Sequence, residues 1–218
     1  MFVGHFAVGL AGKRLAPSVS LGTLVLAAML ADLLWCIFMI ASVEHVEFRQ
    51  AMGAGNYFAA SNIAYSHSLL MDCVWGALLA GAYYLRRRSP RGALILCGAV
   101  VSHWILDWIA HRPDMPLAPG ARALFGLGLW TSIPATIVVE GGLWLAAVIF
   151  YVRGFHAKGR TGFFVFWPVV VLLTLAWYGN ISGPPPRDPH SAPYASLILF
   201  SLSVAWAYWM NRLRTAPD

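Results

Sequence analysis

Apolar stretches of close to 20 residues recur along the chain, and short polar or basic segments separate them. An α-helix needs about 20 apolar residues to cross the hydrocarbon core of a bilayer, so each stretch is long enough for one span. The pattern therefore predicts about six spanning helices. They cover residues 21–41, 64–85, 92–109, 131–152, 162–179 and 193–212.

The N-terminal residues 3–12 are also apolar, but this stretch is too short to cross a bilayer. It predicts a short helix of one of two kinds. The helix either folds back at half depth against the first full span or lies as an amphipathic helix on the cytoplasmic membrane surface. The sequence leaves both arrangements open.

Composition agrees with this pattern, since 59% of the 218 residues are hydrophobic and only 11% are charged. Such fractions exclude an ordinary soluble globular protein. The longest loops hold roughly 20 residues, which is too few for a separate soluble domain. We expect an all-α fold, a polytopic transmembrane helical bundle in the lipid bilayer, with residues 1–218 forming a single integral membrane domain.

The net charge of +6 comes from basic residues spread over short loops, so we expect no nucleic-acid partner. Six spans would put eleven basic residues on one side of the membrane: Lys13, Arg14, Arg86, Arg87, Arg88, Arg91, Arg153, Lys158, Arg160, Arg212 and Arg214. The other side would receive four: Arg49, Arg112, Arg122 and Arg187. Because loops rich in Lys and Arg stay in the cytoplasm, both termini of this multi-pass protein are expected there.

Three ionisable residues stand four positions apart inside the apolar run VVSHWILDWIAH: His103, Asp107 and His111. Positions four apart drift by only about 40° round a helix, so the three side chains share one face. Ionisable groups are costly at bilayer depth, and three on one stripe indicate a functional site. The alternative is a hydrogen-bonded polar seam between helices.

The depth of each polar residue follows from the helical rise of about 1.5 Å per residue, counted from the expected cytoplasmic end. One layer, at roughly 15 to 20 Å, holds Asp32, His103 and Glu140. Further outward, at roughly 20 to 30 Å, lie His67, Asp72, Asp107 and His111. The cluster is therefore expected to open toward the non-cytoplasmic side.

His5 reaches this cluster only if residues 1–41 form a helical hairpin, which would place it roughly 12 Å deep, near Asp32. A surface helix would remove it from the site. His67 begins the second span, and Asp72 follows about 140° round the helix, so both cannot easily face one metal. Of these two residues we prefer His67.

Imidazole and carboxylate ligands together suit zinc or a similar divalent ion, and His-x3-Asp supplies two of them from adjacent helical turns. His103, Asp107, Asp32 and His67 would make a sufficient set from three helices. Glu140, on a fourth helix, is a candidate second ligand, general base or group that holds a ligand in place.

Four motifs follow one another in the first half of the chain: GHFAVGLAG, AAMLADLLW, SHS and HWILD. With these motifs the chain resembles the bacterial inner-membrane proteins described as membrane-bound, predicted metal-dependent hydrolases. The ligand order also resembles that of bacterial zinc-dependent phospholipases C, which are soluble helical enzymes. The resemblance implies a bacterial inner-membrane location and metal ligands at His5, Asp32, His67, His103 and Asp107.

The chain departs from those families at two places. The phospholipases carry a His-x3-Glu motif, whereas here Thr136 stands four residues before Glu140. The membrane family often has a proline before its aspartate, where this chain has Ala31. The number of metal ions and the substrate therefore do not carry over from the resemblance.

These observations predict a hydrolase that acts on an amphiphilic, lipid-linked ester or phosphoester through metal-activated water. Asp32, Asp107 or Glu140 would accept the proton of that water. Arg112 is a candidate for holding a substrate phosphate, although a topological or solvated role explains it better.

Two other functions would use the same residues. A proton- or ion-coupled transporter would use the buried His and Asp side chains as a relay through the bundle. A haem protein would hold its cofactor between helices by paired histidines such as His5 and His103. The haem hypothesis leaves the neighbouring carboxylates unexplained.

Overall fold

The computed structural model describes residues 1–48, 58–183 and 189–215, and most of them are helical. The α-helices are α1 (Val3–Leu15), α2 (Leu21–Ala28), α3 (Leu30–Ile40), α4 (Leu69–Arg87), α5 (Pro90–Ala110), α6 (Ile133–Thr136), α7 (Gly142–Gly154), α8 (Gly159–Ser182) and α9 (Ala192–Leu213). A π-helical turn, Ile137–Gly141, connects α6 to α7. The all-α bundle predicted from the sequence is confirmed.

Short antiparallel strand pairs lie in the connections between helices. They are β1 (His45–Phe48) with β2 (Phe58–Asn62), β3 (Met115–Pro116) with β4 (Leu124–Phe125), and β5 (His156–Ala157) with β6 (Arg214–Thr215). The first pair matters for the site, because it pairs His45 with Asn62 and so brings the segments on either side of the hairpin together.

Four helical segments of the described chain are long and apolar enough to cross a membrane: Pro90–Ala110, Ile133–Gly154, Gly159–Ser182 and Ala192–Leu213. The bent pair α2 and α3 supplies a fifth if it is counted as one span. These helices fit a multi-pass membrane protein, with four or five spans in place of the six expected.

The missing span is α4, which has 19 residues and runs beside α5. Its length is sufficient, but Asp72 in its first turn and Arg86 and Arg87 in its last turn lower its mean hydropathy. Two of the four basic residues expected on the non-cytoplasmic side, Arg49 and Arg187, lie outside the described residues.

The N-terminal helix α1 lies inside the bundle, so the surface arrangement is wrong. Val3, Phe6 and Leu10 are almost fully buried, and α1 packs on α2, α5 and α7. Gly9 permits the close approach to α2, because a Cβ there would lie 2.9 Å from Cγ2 of Val25 and 3.1 Å from its Cα. This packing carries His5 into the interior.

The segment predicted as a single first span is broken at Met29, where α2 and α3 meet at an angle of 57°. A helix that ends leaves its last carbonyl groups without partners from the following turn. The carbonyl of Ala28, the last residue of α2, lies 2.8 Å from Nδ1 of His103. The bend thus places Asp32, in the first turn of α3, beside α5.

The helix ends that carry basic residues meet at one end of the bundle, which we call the basic end and define by Lys13, Arg14, Arg86, Arg153 and Arg212. Arg14, near the end of α1, donates to the carbonyl of Phe150 on α7 at 3.3 Å. The backbone N–H of Lys158 donates to the carbonyl of Leu213 at 2.8 Å, joining the start of α8 to the end of α9. Lys13, Arg86 and Arg212 line a common cleft.

Candidate metal centre

The structure brings together the five side chains expected as ligands, from four separate segments of the chain. His5 comes from α1, Asp32 from α3, His103 and Asp107 from α5, and His67 from the turn before α4. The Ser68 hydroxyl accepts a hydrogen bond from the Met71 backbone N–H and so fixes where α4 begins. His67 is thereby held at the helix entrance.

The two carboxylates lie between the imidazoles. Oδ2 of Asp107 is 3.3 Å from Nε2 of His103 and 3.7 Å from Nε2 of His67. Oδ1 of Asp32 is 3.5 Å from Nε2 of His67 and 3.7 Å from Nε2 of His103. Both histidines therefore direct the same ring nitrogen toward the same two carboxylates.

The protonation of the His103 ring follows from its partner at the helix break. A backbone carbonyl can only accept a hydrogen bond, so Nδ1 must carry the proton that it donates to Ala28. In the neutral ring Nε2 then has a free lone pair. That atom is fully buried and makes no hydrogen bond among the described residues. This is how metal-binding histidines are commonly oriented.

The His67 ring is oriented in the same way by a chain of side chains. The Ser66 hydroxyl donates to Oε2 of Glu44 at 2.6 Å, because a carboxylate only accepts. Its oxygen lies 2.7 Å from Nδ1 of His67 and can accept the proton of that nitrogen. Glu44 is held in turn by the backbone N–H groups of Tyr65 and Ser66 through Oε1. The Nε2 lone pair of His67 thus also faces the carboxylates.

Glu44 belongs to the hydrogen-bond network around His67, and the sequence pattern did not predict this. It is almost fully buried, at 1% exposure, although it lies in a connection rather than a helix. Glu44 and Ser66 are 22 positions apart, so neither helical nor strand periodicity predicts that they meet. The contact arises from the β1–β2 pairing of His45 with Asn62, which brings residue 44 next to residues 63–66.

His5 enters the centre from the other side. Its Nε2 is 3.0 Å from Oδ1 of Asp107 and 3.0 Å from the Met1 backbone nitrogen, which also contacts Asp107. Its ring stacks on the His103 ring with centroids 3.6 Å apart and planes 4° from parallel. This contact leaves no room for a macrocycle between the two rings, which argues against haem.

The donor atoms form two overlapping groups that fit a metal ion. His5, His103 and Asp107 make one, and Asp32, His67 and His103 make the other, each with its ligand atoms within 4.8 Å of one another. Tetrahedral zinc with bonds of about 2.0 Å places its ligand atoms about 3.3 Å apart. The distances of 3.3 to 3.7 Å around Asp107 and Asp32 are close to this value. The buried His and Asp set can therefore bind a divalent ion.

Glu140 lies outside both groups. Its Oε1 accepts from the backbone N–H of Gly4 at 3.2 Å, and its Oε2 accepts from Nε1 of Trp130 at 3.3 Å. The π-helical turn thus directs this carboxylate to the start of α1. The contacts favour the last of the roles considered for Glu140, which is to hold a ligand-bearing element in place.

Two further polar residues, which were predicted to lie outward of the Asp32 layer, also have other partners. Asp72 is fully buried, and its Oδ2 accepts from the backbone N–H of Trp104 at 3.1 Å, which ties α4 to α5. His111 Nδ1 is 3.1 Å from Oδ1 of Asp114, and its ring packs 4.8 Å from that of Trp130. His111 lies at the edge of the centre rather than in it.

A cavity of about 280 Å³ adjoins the cluster. His5, Asp32, His67 and Asp107 form its polar part. Its apolar walls come from the start of α1, from α3 and from α9: Phe2, Trp35, Leu199 and Phe200. Asp32 is the most exposed of the five ligand candidates, at 19% of its side chain, so it is the one that faces the cavity most openly.

No family model, curated protein or solved structure matches the chain. A fold class alone does not identify a reaction. The function therefore has to follow from the chemistry of the buried His and Asp side chains and from the shape of the cavity beside them.

Proposed function

We propose that this protein is a membrane-embedded, divalent-metal-dependent hydrolase that acts on a lipid-linked ester or phosphoester. The observation that carries the proposal is the convergence of three imidazoles and two carboxylates beside a cavity with apolar walls. The resemblance of the four sequence motifs to membrane-bound metal-dependent hydrolases supports it. A bound divalent ion, with zinc as the first candidate, would polarise the substrate oxygen and make water more acidic.

The positions of these residues suggest a different chemical role for each. His67 and His103 present Nε2 lone pairs, because Ser66 and Ala28 hold their Nδ1 atoms. Asp107 is buried between His5 and His103, which suits a ligand more than a proton carrier. Asp32 faces the cavity and can pass a proton to solvent, so we assign it the role of general base.

The cavity indicates an amphiphilic substrate. Its apolar walls, Phe2, Trp35, Leu199 and Phe200, suit a hydrocarbon chain, while the ester or phosphate would lie at the polar part near Asp32. Asn180 and Ser196, on α8 and α9, add neutral hydrogen-bonding groups to the lining.

The same arrangement suggests how the protein lies in the membrane. The basic end, which includes the end of α9, is expected to face the cytoplasm of a bacterial inner membrane. Met1 lies at the opposite end of α1, in the His and Asp cluster, so the expectation of two cytoplasmic termini is kept only for the C-terminal side. On α1 the seven residues between His5 and Lys13 are all apolar or glycine. The cavity would therefore open to the non-cytoplasmic side, and this separation favours a one-sided hydrolase over a transporter with access from both faces.

Metal content tests the proposal directly. Protein purified in neutral detergent should contain a divalent metal by elemental analysis, and His103→Ala should lose it because His103 belongs to both ligand groups. His156→Ala is the matched control, since His156 is exposed in β5. Wild-type protein that stays metal-free after zinc addition, or a His103→Ala variant with unchanged metal content, would contradict the proposal.

Activity provides the second test. Metal-loaded protein should hydrolyse a member of a panel of acyl-ester and phosphoester lipids, and chelation should abolish the reaction until metal is restored. Asp32→Asn should lower kcat more than it lowers metal content, because Asp32 accepts the proton. Ion flux in proteoliposomes that survives chelation, without any hydrolysis, would favour the transporter instead.

A further inference from the structure

A second cavity, of about 690 Å³, lies in the basic end and is separate from the metal centre. The end of α1, the start of α2 and the ends of α4 and α9 form it. We call it the basic cleft and define it by Lys13, Arg86, Arg87, Tyr208 and Arg212. None of its described lining residues is shared with the cavity beside His103.

The basic cleft has four cationic side chains and no acidic one among its described lining residues. Arg86, Arg87 and Arg212 are exposed, and no ion pair joins them to an acidic residue in the described ranges. The buried acidic residues of the described chain lie around the metal centre and its rim: Glu44, Asp72, Asp107, Asp114 and Glu140. The cleft therefore concentrates positive charge without a counter-charge from the described protein.

Lys13 strengthens this conclusion because it is buried, at 7% exposure, yet it has only neutral hydrogen-bond acceptors. Its ammonium group donates to the carbonyls of Pro17 and Val19 at 2.7 and 2.8 Å. Burial lowers the pKa of Lys13 from its ordinary value. A bound anion would oppose that shift and stabilise the charged form.

Neutral polar groups complete the lining. The Tyr208 hydroxyl lies 3.1 Å from Oγ1 of Thr23, and the Asn211 side chain accepts from the backbone N–H of Leu21 at 3.0 Å. The Tyr208 ring covers Gly22 so closely that a Cβ there would lie 2.2 Å from the ring. The hydroxyl is thus held in place at the start of α2.

We propose that the basic cleft binds the phosphate headgroup of an anionic membrane lipid. Basic pockets between transmembrane helices on the cytoplasmic side are suited to such headgroups. Leu26 and Leu79 line the same cleft, so acyl chains can continue from the headgroup along the apolar surfaces of α2 and α4. A free phosphate would use only the cationic part and would gain nothing from these apolar residues.

The test compares two variants that lose the same charge. Arg86→Gln, Arg87→Gln and Arg212→Gln are combined in the cleft variant. The control combines Arg153→Gln, Lys158→Gln and Arg160→Gln, which are exposed residues of the basic end outside the cleft. Binding of phosphatidylglycerol, phosphatidylcholine and inorganic phosphate to the full chain in neutral detergent is measured by native mass spectrometry and thermal shift.

We expect phosphatidylglycerol to bind more tightly than phosphatidylcholine, and the cleft variant to bind it on the order of 100-fold more weakly. The control variant should bind as the wild type does. If both variants lose phosphatidylglycerol binding equally, the lipid is attracted by the overall positive charge and not by the cleft, which would overturn the proposal. Equal binding of phosphatidylglycerol and phosphatidylcholine would also overturn it. If inorganic phosphate displaces phosphatidylglycerol at similar concentrations, the ligand of the cleft is free phosphate and the lipid proposal is wrong.

Folding of the variants has its own control. Metal content should stay unchanged in the cleft variant, because none of its substitutions touches the metal centre. If the triple variant aggregates, Arg212→Gln alone should weaken phosphatidylglycerol binding by about 5-fold. A single variant that binds the lipid like wild type then contradicts the proposal.

Discussion

The His and Asp cluster and the basic cleft both include residues of α1, but the two sites differ in how their charged groups are stabilised. His5 and Lys13 are eight positions apart on α1. His5 contacts the carboxylate of Asp107, whereas Lys13 lines the basic cleft. Asp107 is buried where imidazoles surround it, and the arginines of the cleft, Arg86, Arg87 and Arg212, are exposed where water can solvate them. Burial of a charge is tolerated only where partners of opposite character converge.

Asp107→Asn should have the largest effect at the metal centre. The substitution keeps the shape of the side chain but removes a charge that lies beside three histidines. We expect metal affinity to fall by on the order of 100-fold or more, measured by competition with a chromophoric chelator. Arg160→Gln, which also removes one charge, but a positive one at the basic end, should leave the affinity unchanged. Unchanged affinity in Asp107→Asn would remove Asp107 from the ligand set.

The serines on either side of His67 offer a matched pair with the next largest effect. Ser66→Ala breaks the hydrogen-bond chain from Glu44 to His67 and should lower metal affinity by about 10- to 100-fold. Ser68→Ala removes only the N-cap of α4 and should cost about 1 kcal/mol of stability. Chelator competition and thermal unfolding measure the two effects. Equal metal affinities in the two variants would refute the orienting role of Ser66.

Gly9→Ala tests the contact that carries α1 into the bundle. The added methyl group would meet Val25 at 2.9 Å, and overpacking of this kind costs about 1 to 3 kcal/mol. We expect a lower thermal midpoint and weaker metal binding, because His5 moves with α1. Gly81→Ala is the control, since nothing lies within 4 Å of a Cβ at that position. Equal midpoints in the two variants would contradict the tight packing of α1 on α2.

Glu140→Gln should have the smallest effect on the metal. Its carboxylate bonds to Gly4 and Trp130 and lies outside both ligand groups, so metal affinity should change by less than about 3-fold. Thermal stability should fall slightly, because an amide replaces a charged acceptor. Complete loss of metal in this variant would return Glu140 to the ligand set.

Helical periodicity was sufficient to predict part of the centre. Residues four positions apart share a face of any regular helix, and α5 runs unbroken from Pro90 to Ala110, so His103 and Asp107 lie together. The depth estimated from the helical rise was sufficient to place Asp32 at about the level of His103. Depth gives no direction round the helix axis, however. Glu140 faces α1 because it lies in a π-helical turn, which the spacing of apolar residues does not predict.

Other parts of the centre depend on tertiary contacts that a linear pattern does not contain. The break at Met29 has neither proline nor glycine beside it, so an uninterrupted span was the natural prediction for residues 21–41. Glu44 meets Ser66 only through the β1–β2 hairpin. The prediction of six spans rested on the length of the apolar stretches. In α4, which packs beside α5, the length is sufficient but the polar residues at both ends lower the mean hydropathy.

The bend at Met29 also links the shape of a helix to the state of the metal centre. The carbonyl at the end of α2 holds the His103 ring, so straightening the helix would withdraw the acceptor that leaves Nε2 unprotonated. Thermodynamic linkage is reciprocal: if the bend favours the metal-binding ring, a bound metal must favour the bend to the same extent. Amide hydrogen exchange around residues 29–33 should therefore slow when the protein is loaded with zinc, and the kink would serve as a reporter of occupancy.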